Sequence, residues 1–309
     1  MVLSVVQNTA LVLQMRYTRV QEGDRYFTST AVIMSELVKV LCCLGVISYQ
    51  EGHTQLKKQI FGEGFLKVAI PAGIYAVQNN LLYYGLSNLE APVYQVSNQL
   101  KIFTTAIFFV LILHQSLSSK KWFSLFLLFA GVSMVQISAL KPSSSPVASA
   151  HKQNPLLGGL AVFLASVTSG FAGVYIEKIM KTSSLSVWVR NCQMGLFGFL
   201  FAGLIVLISD HSEIFEKGFF FGWNSNVVLL VLNHALGGLI IGVLVRYGDN
   251  IIKGFASALS IIFSSLFSVF LFDFTITTMF VGGAAMVCMA VYIYQQNDKP
   301  KQESAKNIV

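Results

Sequence analysis

The sequence predicts an all-α membrane protein with ten transmembrane helices in two inverted five-helix repeats. Three observations carry this expectation. Of 309 residues, 54% are hydrophobic and only 11% charged, whereas soluble domains carry about 25% charge. The apolar residues gather into ten runs, each close to the roughly 20 residues that cross a bilayer as a helix. Two lysines also sit inside such runs in related text: Leu100-Lys101-Ile102-Phe103-Thr104-Thr105-Ala106 and Ile252-Lys253-Gly254-Phe255-Ala256-Ser257-Ala258.

The first run, 1–16, follows Met1 without a basic leader or a small-residue cleavage site, so it reads as a spanning helix and not a signal peptide. Four more follow at 29–49, 65–87, 91–114 and 119–138. The stretch 139–154 is rich in Ser, Pro and Ala, the composition of a flexible linker. The second set lies at 155–178, 184–209, 223–247, 253–273 and 275–295, and 296–309 forms a tail. Each lysine falls in the fourth run of its half; Gly131 lies 30 residues after Lys101, and Gly283 lies 30 after Lys253. The halves are therefore 1–138 and 155–295. Because five is odd, the second must insert upside down relative to the first. Inverted repeats around a midplane site are a common transporter plan.

Charge orients the chain and excludes other classes. With both termini cytoplasmic, 13 Lys and Arg fall in cytoplasmic loops and tail and 6 on the opposite side, as the positive-inside rule requires. The net charge of +7 is scattered over loops, which argues against a nucleic-acid partner. Cys42, Cys43, Cys192 and Cys288 lie in apolar runs with no CxxC spacing, so neither a disulfide framework nor a metal site is expected. No Gly-rich phosphate loop and no cluster of carboxylates is present, which removes ATPase, dinucleotide and metal-dependent transferase readings and any cofactor. Gly170/Gly173, Gly195/Gly198, Gly238/Gly242 and Gly282/Gly283 read as seams where helices approach closely.

A lysine at membrane depth costs about 2.5–3.5 kcal/mol, so Lys101 must have a use. Tyr94, Asn98, Lys101 and Thr105 follow steps of four, three and four, which forms one helical stripe. The preceding run supplies Tyr75, Gln78, Asn79 and Asn80, with Tyr75 and Asn79 on one face. A stripe this polar cannot face lipid; it lines a cavity or a protein interface. Its chemistry fits a nucleotide. Ammoniums suit phosphate oxygens, tyrosine faces stack on a base, and carboxamides read a base edge. The alternative is structural, with the polar groups bridging helices and Lys101 neutral or paired. Glu36 already has Lys39 three residues on and Glu177 has Lys178 beside it, which leaves Lys101 without an evident partner. Asp249-Asn250 can cap the helix of Lys253 or touch a ligand. His234, the one histidine deep in a run, suits a hydrogen-bonded packing role.

The segments Gly73-Ile74-Tyr75-Ala76-Val77-Gln78-Asn79-Asn80-Leu81-Leu82-Tyr83, Leu86-Ser87-Asn88-Leu89, Tyr94-Gln95-Val96, Gln99-Leu100-Lys101-Ile102, Gly170-Phe171-Ala172-Gly173-Val174-Tyr175 with Glu177-Lys178, and Asp249-Asn250-Ile251-Ile252-Lys253-Gly254-Phe255 resemble the Golgi nucleotide-sugar transporters, in the subgroup of the CMP-sialic acid, UDP-galactose and UDP-N-acetylglucosamine carriers. The resemblance covers nearly the whole chain. It implies the drug/metabolite-transporter fold, a Golgi membrane location, and exchange of a cytosolic nucleotide-sugar for a luminal nucleoside monophosphate. It also implies a nucleotide pocket lined by Tyr75, Gln78, Asn79, Tyr94, Lys101, Thr105, Asn191 and Lys253, with the lysines on the phosphates. Where the family reads Tyr-Gln-Val-Thr-Tyr-Gln-Leu-Lys, this chain has Ser97-Asn98, which places Asn98 in the stripe. Gly195 stands where the sialic acid carrier has a tyrosine. That departure, with Phe255-Ala256-Ser257-Ala258-Leu259-Ser260-Ile261 and Gly218-Phe219-Phe220, resembles the UDP-sugar members. The expected substrates are UDP-N-acetylglucosamine or UDP-galactose against UMP. The alternatives are a CMP-sialic acid carrier and a non-transporting scaffold of the same fold. Membrane lipid is the expected surrounding, and a homo-oligomer or an association with Golgi glycosyltransferases is compatible with it.

Overall fold

The computed structural model describes residues 1–20, 24–52, 56–140, 154–272 and 274–296. Among them the protein is helical throughout, with no strand. In order the helices are α1 (Val2–Val20), α2 (Thr28–Glu51), α3 (Leu56–Ile60), α4 (Phe65–Asn88), α5 (Ala91–Asn98), α6 (Lys101–Leu113), α7 (Ser119–Ser138), α8 (Pro155–Thr182), α9 (Val187–Ile205), α10 (His211–Lys217), α11 (Ser225–Tyr247), α12 (Asn250–Phe272) and α13 (Thr278–Gln295). Polar residues placed before the apolar runs start several of them. Ser118, Asn154, Ser186, Asn224 and Thr277 each accept a backbone N–H two or three residues into the helix, at 3.4, 3.3, 3.3, 3.1 and 3.1 Å, and so satisfy donors that would otherwise be orphaned.

Among the described residues eight segments are long and apolar enough to cross a membrane, α5 and α6 counting as one span, Ala91–Leu113. The helices α1 and α4 are comparably long, at 19 and 24 residues, but more polar. On α1 the polar groups face protein: Gln7 Nε2 donates to the Asn233 carbonyl at 2.9 Å, and Asn233 Nδ2 donates to Gln14 Oε1 at 2.8 Å. The surface meets apolar surroundings with large side chains, such as Leu156 at 83% and Phe270 at 87% exposed.

Several boundaries differ from the sequence expectation. The run at 91–114 tightens in the middle, where Gln99 N bonds to Val96 O and Ile102 N to Gln99 O, three residues back in place of four. The helix of Lys253 begins at Asn250 because Asp249 Oδ1 accepts Ile252 N at 2.6 Å. The helix α9 runs on through a π turn, Val206–Asp210, into α10. Most of the 139–154 linker, residues 141–153, and the tail beyond 296 lie outside the described residues.

The helices pair across the two halves. Helix α7 packs on α13, α2 on α9, α4 and α6 on α8, and α11 and α12 on α1. The largest core cluster joins α6, α7, α12 and α13 through Phe109, Leu125, Leu128, Phe255 and Val287. At its centre Gly131 and Gly283 face one another: a Cβ on either would lie 2.8 or 2.7 Å from the other's carbonyl oxygen. Both ends of the described chain reach one face of the bundle, where Gln295 Nε2 meets Met1 Sδ at 3.6 Å.

Candidate functional site

Lys101 opens α6 just after the tightened turn, and Lys253 lies in the first turn of α12. Both line one cavity of about 200 Å³ with Thr105, Gln99, Gln136, Ser169, Asn250 and Ser257. Its remaining walls are aliphatic, from Ile102, Leu125, Leu128, Val132, Ile251 and Ile261. Among the described residues no carboxylate lines it. Neither ammonium has a hydrogen-bond or ion-pair partner among the described residues. Two unpaired cations in a small, largely apolar chamber are chemically suited to an anion, because burial of an unpaired charge is otherwise strongly unfavourable. Gln99 Nε2 donates to Gln136 Oε1 at 2.7 Å, which fixes the tightened turn against α7.

Helix α8 holds the two lysine-bearing helices. Thr104 Oγ1 donates to the Ser166 carbonyl at 2.7 Å, and Gly170 lets the Thr104-Thr105 backbone approach so closely that any Cβ there would clash. Four residues before Lys253 on the other helix, Asp249 caps; Glu177 Oε2 adds a second acceptor, for Asn250 N at 2.9 Å, while its Oε1 meets Lys181 Nζ at 2.6 Å. Glu177 thus pairs one turn on with Lys181, not with the adjacent Lys178. Asp249 lies between spans, and burial pushes its carboxyl above the ordinary value.

The other expected residues divide. Tyr75 and Asn79 line a separate cavity of about 240 Å³ with Glu36, Lys39, Ile176 and Met194. There Lys39 and Glu36 form the ion pair read from their spacing, at 2.5 Å. Gln78 lies half-buried on α4 with Oε1 unpartnered, outside the lining of both cavities. Tyr94 and Asn98, half-buried on α5, also line neither. The stripe expected from the sequence is therefore gathered only in part in the lysine cavity, through Lys101 and Thr105. Asn191 is 2% exposed; its Nδ2 donates to Val187 O at 3.1 Å and its amide packs on Gly242, so here it fills a helix seam. His234 keeps the packing role, with Nδ1 at 2.8 Å from Ser35 Oγ. Sequence reasoning missed Gln99, Gln136, Ser169 and Ser257. Gln136 carried the one available signal, an isolated carboxamide in an apolar run.

A larger cavity, about 810 Å³, is elsewhere: it opens among α1, α11, α12 and α13, at the end that holds Met1, Tyr247 and Gln295. Its walls are mostly aliphatic and aromatic, and its one lysine, Lys121, lies over the Tyr294 ring at 5.6 Å. The smaller chamber has the unpaired cations, so it is the better anion site.

The profile of the family described as nucleotide-sugar transporters matches residues 1–295. The chain belongs to the nucleotide-sugar transporter family. Similar members include the UDP-galactose transporter of Schizosaccharomyces pombe, 43% identical over 98% of this chain and 89% of that protein. The human UDP-N-acetylglucosamine transporter is 44% identical over 98% and 96% of the two chains. The human UDP-galactose translocator is 46% identical over 94% and 74%. The family and these relatives are transporters, not enzymes. One solved crystal structure superposes with TM-score 0.68 over 95% of both chains at 11% identity, a likeness of fold alone.

Proposed function

We propose that the protein is a nucleotide-sugar antiporter of the Golgi membrane that imports UDP-N-acetylglucosamine, UDP-galactose or both in exchange for UMP. The observation that carries this is the pair of unpartnered ammoniums, Lys101 and Lys253, in one cavity that no carboxylate lines. They neutralise the phosphates; Thr105 and the neighbouring carboxamides supply the remaining polar contacts. Tyr75 and Asn79 receive the rest of the nucleotide, and Gln78, Tyr94, Asn98 and Asn191 join the lining when the halves move. The UDP-sugar relatives support the uridine diphosphate class.

The architecture behind this reading is ten spans in two inverted halves, 1–138 and 155–295, joined by the 139–154 linker, with both termini and the 296–309 tail cytoplasmic. Contact between Gly131 and Gly283 supports it, since equivalent residues of an inverted pair touch only near the pseudo-two-fold axis. The pairings support it too. Exchanging first-half helices for their second-half equivalents turns α4 on α8 into α11 on α1, and α6 on α8 into α12 on α1, and all four contacts exist. Alternating access then follows from rocking one half against the other.

The test is counterflow of labelled UDP-sugar into proteoliposomes preloaded with UMP. Lys101→Ala should abolish uptake while the protein keeps its thermal unfolding transition. Near-wild-type exchange by that variant would sink the proposal. Thermal indifference of the wild type to every nucleotide would point instead to a scaffold.

A further inference from the structure

Gln99 and Gln136 line the lysine cavity together and are joined by one hydrogen bond, Gln99 Nε2 to Gln136 Oε1 at 2.7 Å. Among the described residues neither side chain has a second hydrogen-bond partner. A carboxamide carries two N–H donors and a carbonyl oxygen, so the pair keeps Gln136 Nε2 as a donor and Gln99 Oε1 as an acceptor. Both atoms retain open surface, unlike the sealed and unpartnered Gln78 Oε1 and Ser133 Oγ. Turning both amides over exchanges the roles and leaves the same two ends, one donor and one acceptor.

The position of α7 decides what these ends can meet. That helix lines the lysine cavity through Leu125, Leu128, Val132 and Gln136 and gives no residue to the Tyr75 and Asn79 cavity. Helix α8 borders both cavities, through Ser169 in the first and Ile176 in the second. On the nucleotide reading, phosphates on Lys101 and Lys253 with a base toward Tyr75 leave the α7 wall for whatever hangs from the outer phosphate. In a UDP-sugar that group is the sugar. Phosphate oxygens, which only accept, match half of the glutamine pair. A secondary amide, with one N–H and one carbonyl, matches both ends. Ile102, three positions after Gln99, and Val132, four before Gln136, add aliphatic surface to the same cavity about one turn away, which suits a methyl group. The acetamido group of an N-acetylhexosamine joins N–H, carbonyl and methyl in one substituent, whereas a hexose hydroxyl brings no methyl.

We propose that Gln136 and Gln99 form the sugar subsite and select the acetamido group of a UDP-N-acetylhexosamine, Gln136 donating to its carbonyl and Gln99 accepting its N–H. The inference rests on the nucleotide reading of the lysine cavity and deepens it, because it ranks the two sugars that reading treats alike.

The full-length protein in detergent is titrated with UMP and with two matched pairs, UDP-N-acetylglucosamine against UDP-glucose and UDP-N-acetylgalactosamine against UDP-galactose. Affinity is read from ligand-dependent thermal shifts. Wild type should bind each acetamido sugar about tenfold more tightly than its hexose partner, a difference of about 1.4 kcal/mol. Gln136→Met should bring both ratios close to one while UMP binds as it does to wild type. That change leaves Gln99 without its partner, so the double variant Gln99→Met with Gln136→Met, which removes both amides together, should give the same ratios. Val132→Ala keeps both amides and removes aliphatic surface, and should lower each ratio about threefold. Equal wild-type binding within both pairs overturns the inference. So do ratios that survive the double variant, or a loss of UMP affinity in it as large as the loss of sugar affinity. Wild-type protein that binds no UMP at all overturns the nucleotide reading, and this inference with it.

Discussion

Adding one methyl group at Gly131 tests both the packing and the inverted arrangement. A Cβ there would lie 2.8 Å from Gly283 O, 2.9 Å from Val287 Cγ2 and 3.0 Å from Met286 Cβ. Ordinary contact begins near 3.4 Å, so α7 and α13 must part by about 0.6 Å along a seam that is otherwise closed. Overpacking of this kind costs about 1–3 kcal/mol, and Ala returns about 1 kcal/mol in helix propensity over Gly. Gly131→Ala should then lose about 0–2 kcal/mol. Gly131→Val, with two more carbons at the same point and less propensity gained, should lose more. Gly283→Val should match it closely, since each glycine meets the other's carbonyl. The double alanine variant should cost less than the sum of its parts, because both residues use the same widening. Gly45→Ala is the control: nothing lies within 4 Å of its Cβ position, so it should be neutral or stabilising. Unfolding can be followed with a thiol-reactive dye, since Cys43 and Cys192 are both 0% exposed. A Gly131→Val protein as stable as wild type would refute the packing argument, and clearly unequal effects at the two glycines would refute their equivalence.

Two further outcomes follow from charges. Burial raises the Asp249 carboxyl above its ordinary 3.8, so the folded state holds that proton more tightly than the unfolded chain does, and stability falls as pH rises from 3.8 through the raised value. Asp249→Asn, which can still cap α12, should therefore raise the melting temperature at pH 7 and lose that advantage as pH approaches 3.8; an unchanged or opposite pH profile would contradict the assignment. At the intramembrane pair, Lys39→Met should cost about 3 kcal/mol by leaving Glu36 unpaired, while Glu36→Gln with Lys39→Met should stay near wild type. Equal melting temperatures for the single and double variants would show that the pair does not act as a unit.

The sequence made the helices legible because hydrophobic runs, caps and length are local properties. It made the lysine pair legible because an unpaired cation in an apolar run has few explanations. Spacing also gave the Glu36–Lys39 pair and the Gly131 and Gly283 match. It failed where a single turn decided the geometry. The helix tightens around Gln99, no residue type there signals it, and Tyr94 and Asn98 line neither cavity. It failed again for Glu177, whose neighbour in sequence, Lys178, points elsewhere while Lys181, one turn on, meets it. Asn191 shows a third limit. Resemblance can assign a residue to a pocket, but whether it faces the ligand or a seam such as that at Gly242 depends on how the helices are rotated.

The unpaired lysines bear on why the proposed antiporter would exchange and not simply conduct. In the proposed cycle, rocking between access states would pass through a closed form in which water around Lys101 and Lys253 is reduced, and the repulsion between two like charges strengthens as the local dielectric falls. A single lysine at membrane depth already costs about 2.5–3.5 kcal/mol, and no carboxylate among the described residues lines the chamber to offset two of them. In the proposed cycle the unloaded crossing would therefore be the slow one. A phosphate monoester carries about −1.5 to −2 charge at pH 7, and the diphosphate of a nucleotide-sugar carries one charge on each of its two phosphates. In the proposed cycle both cargoes thus neutralise the same two ammoniums, and either lowers the barrier in its own direction. In that cycle obligatory exchange would need no gate that senses which cargo is bound: the unpaired lysines would hold the unloaded carrier back until an anion of matching charge arrived.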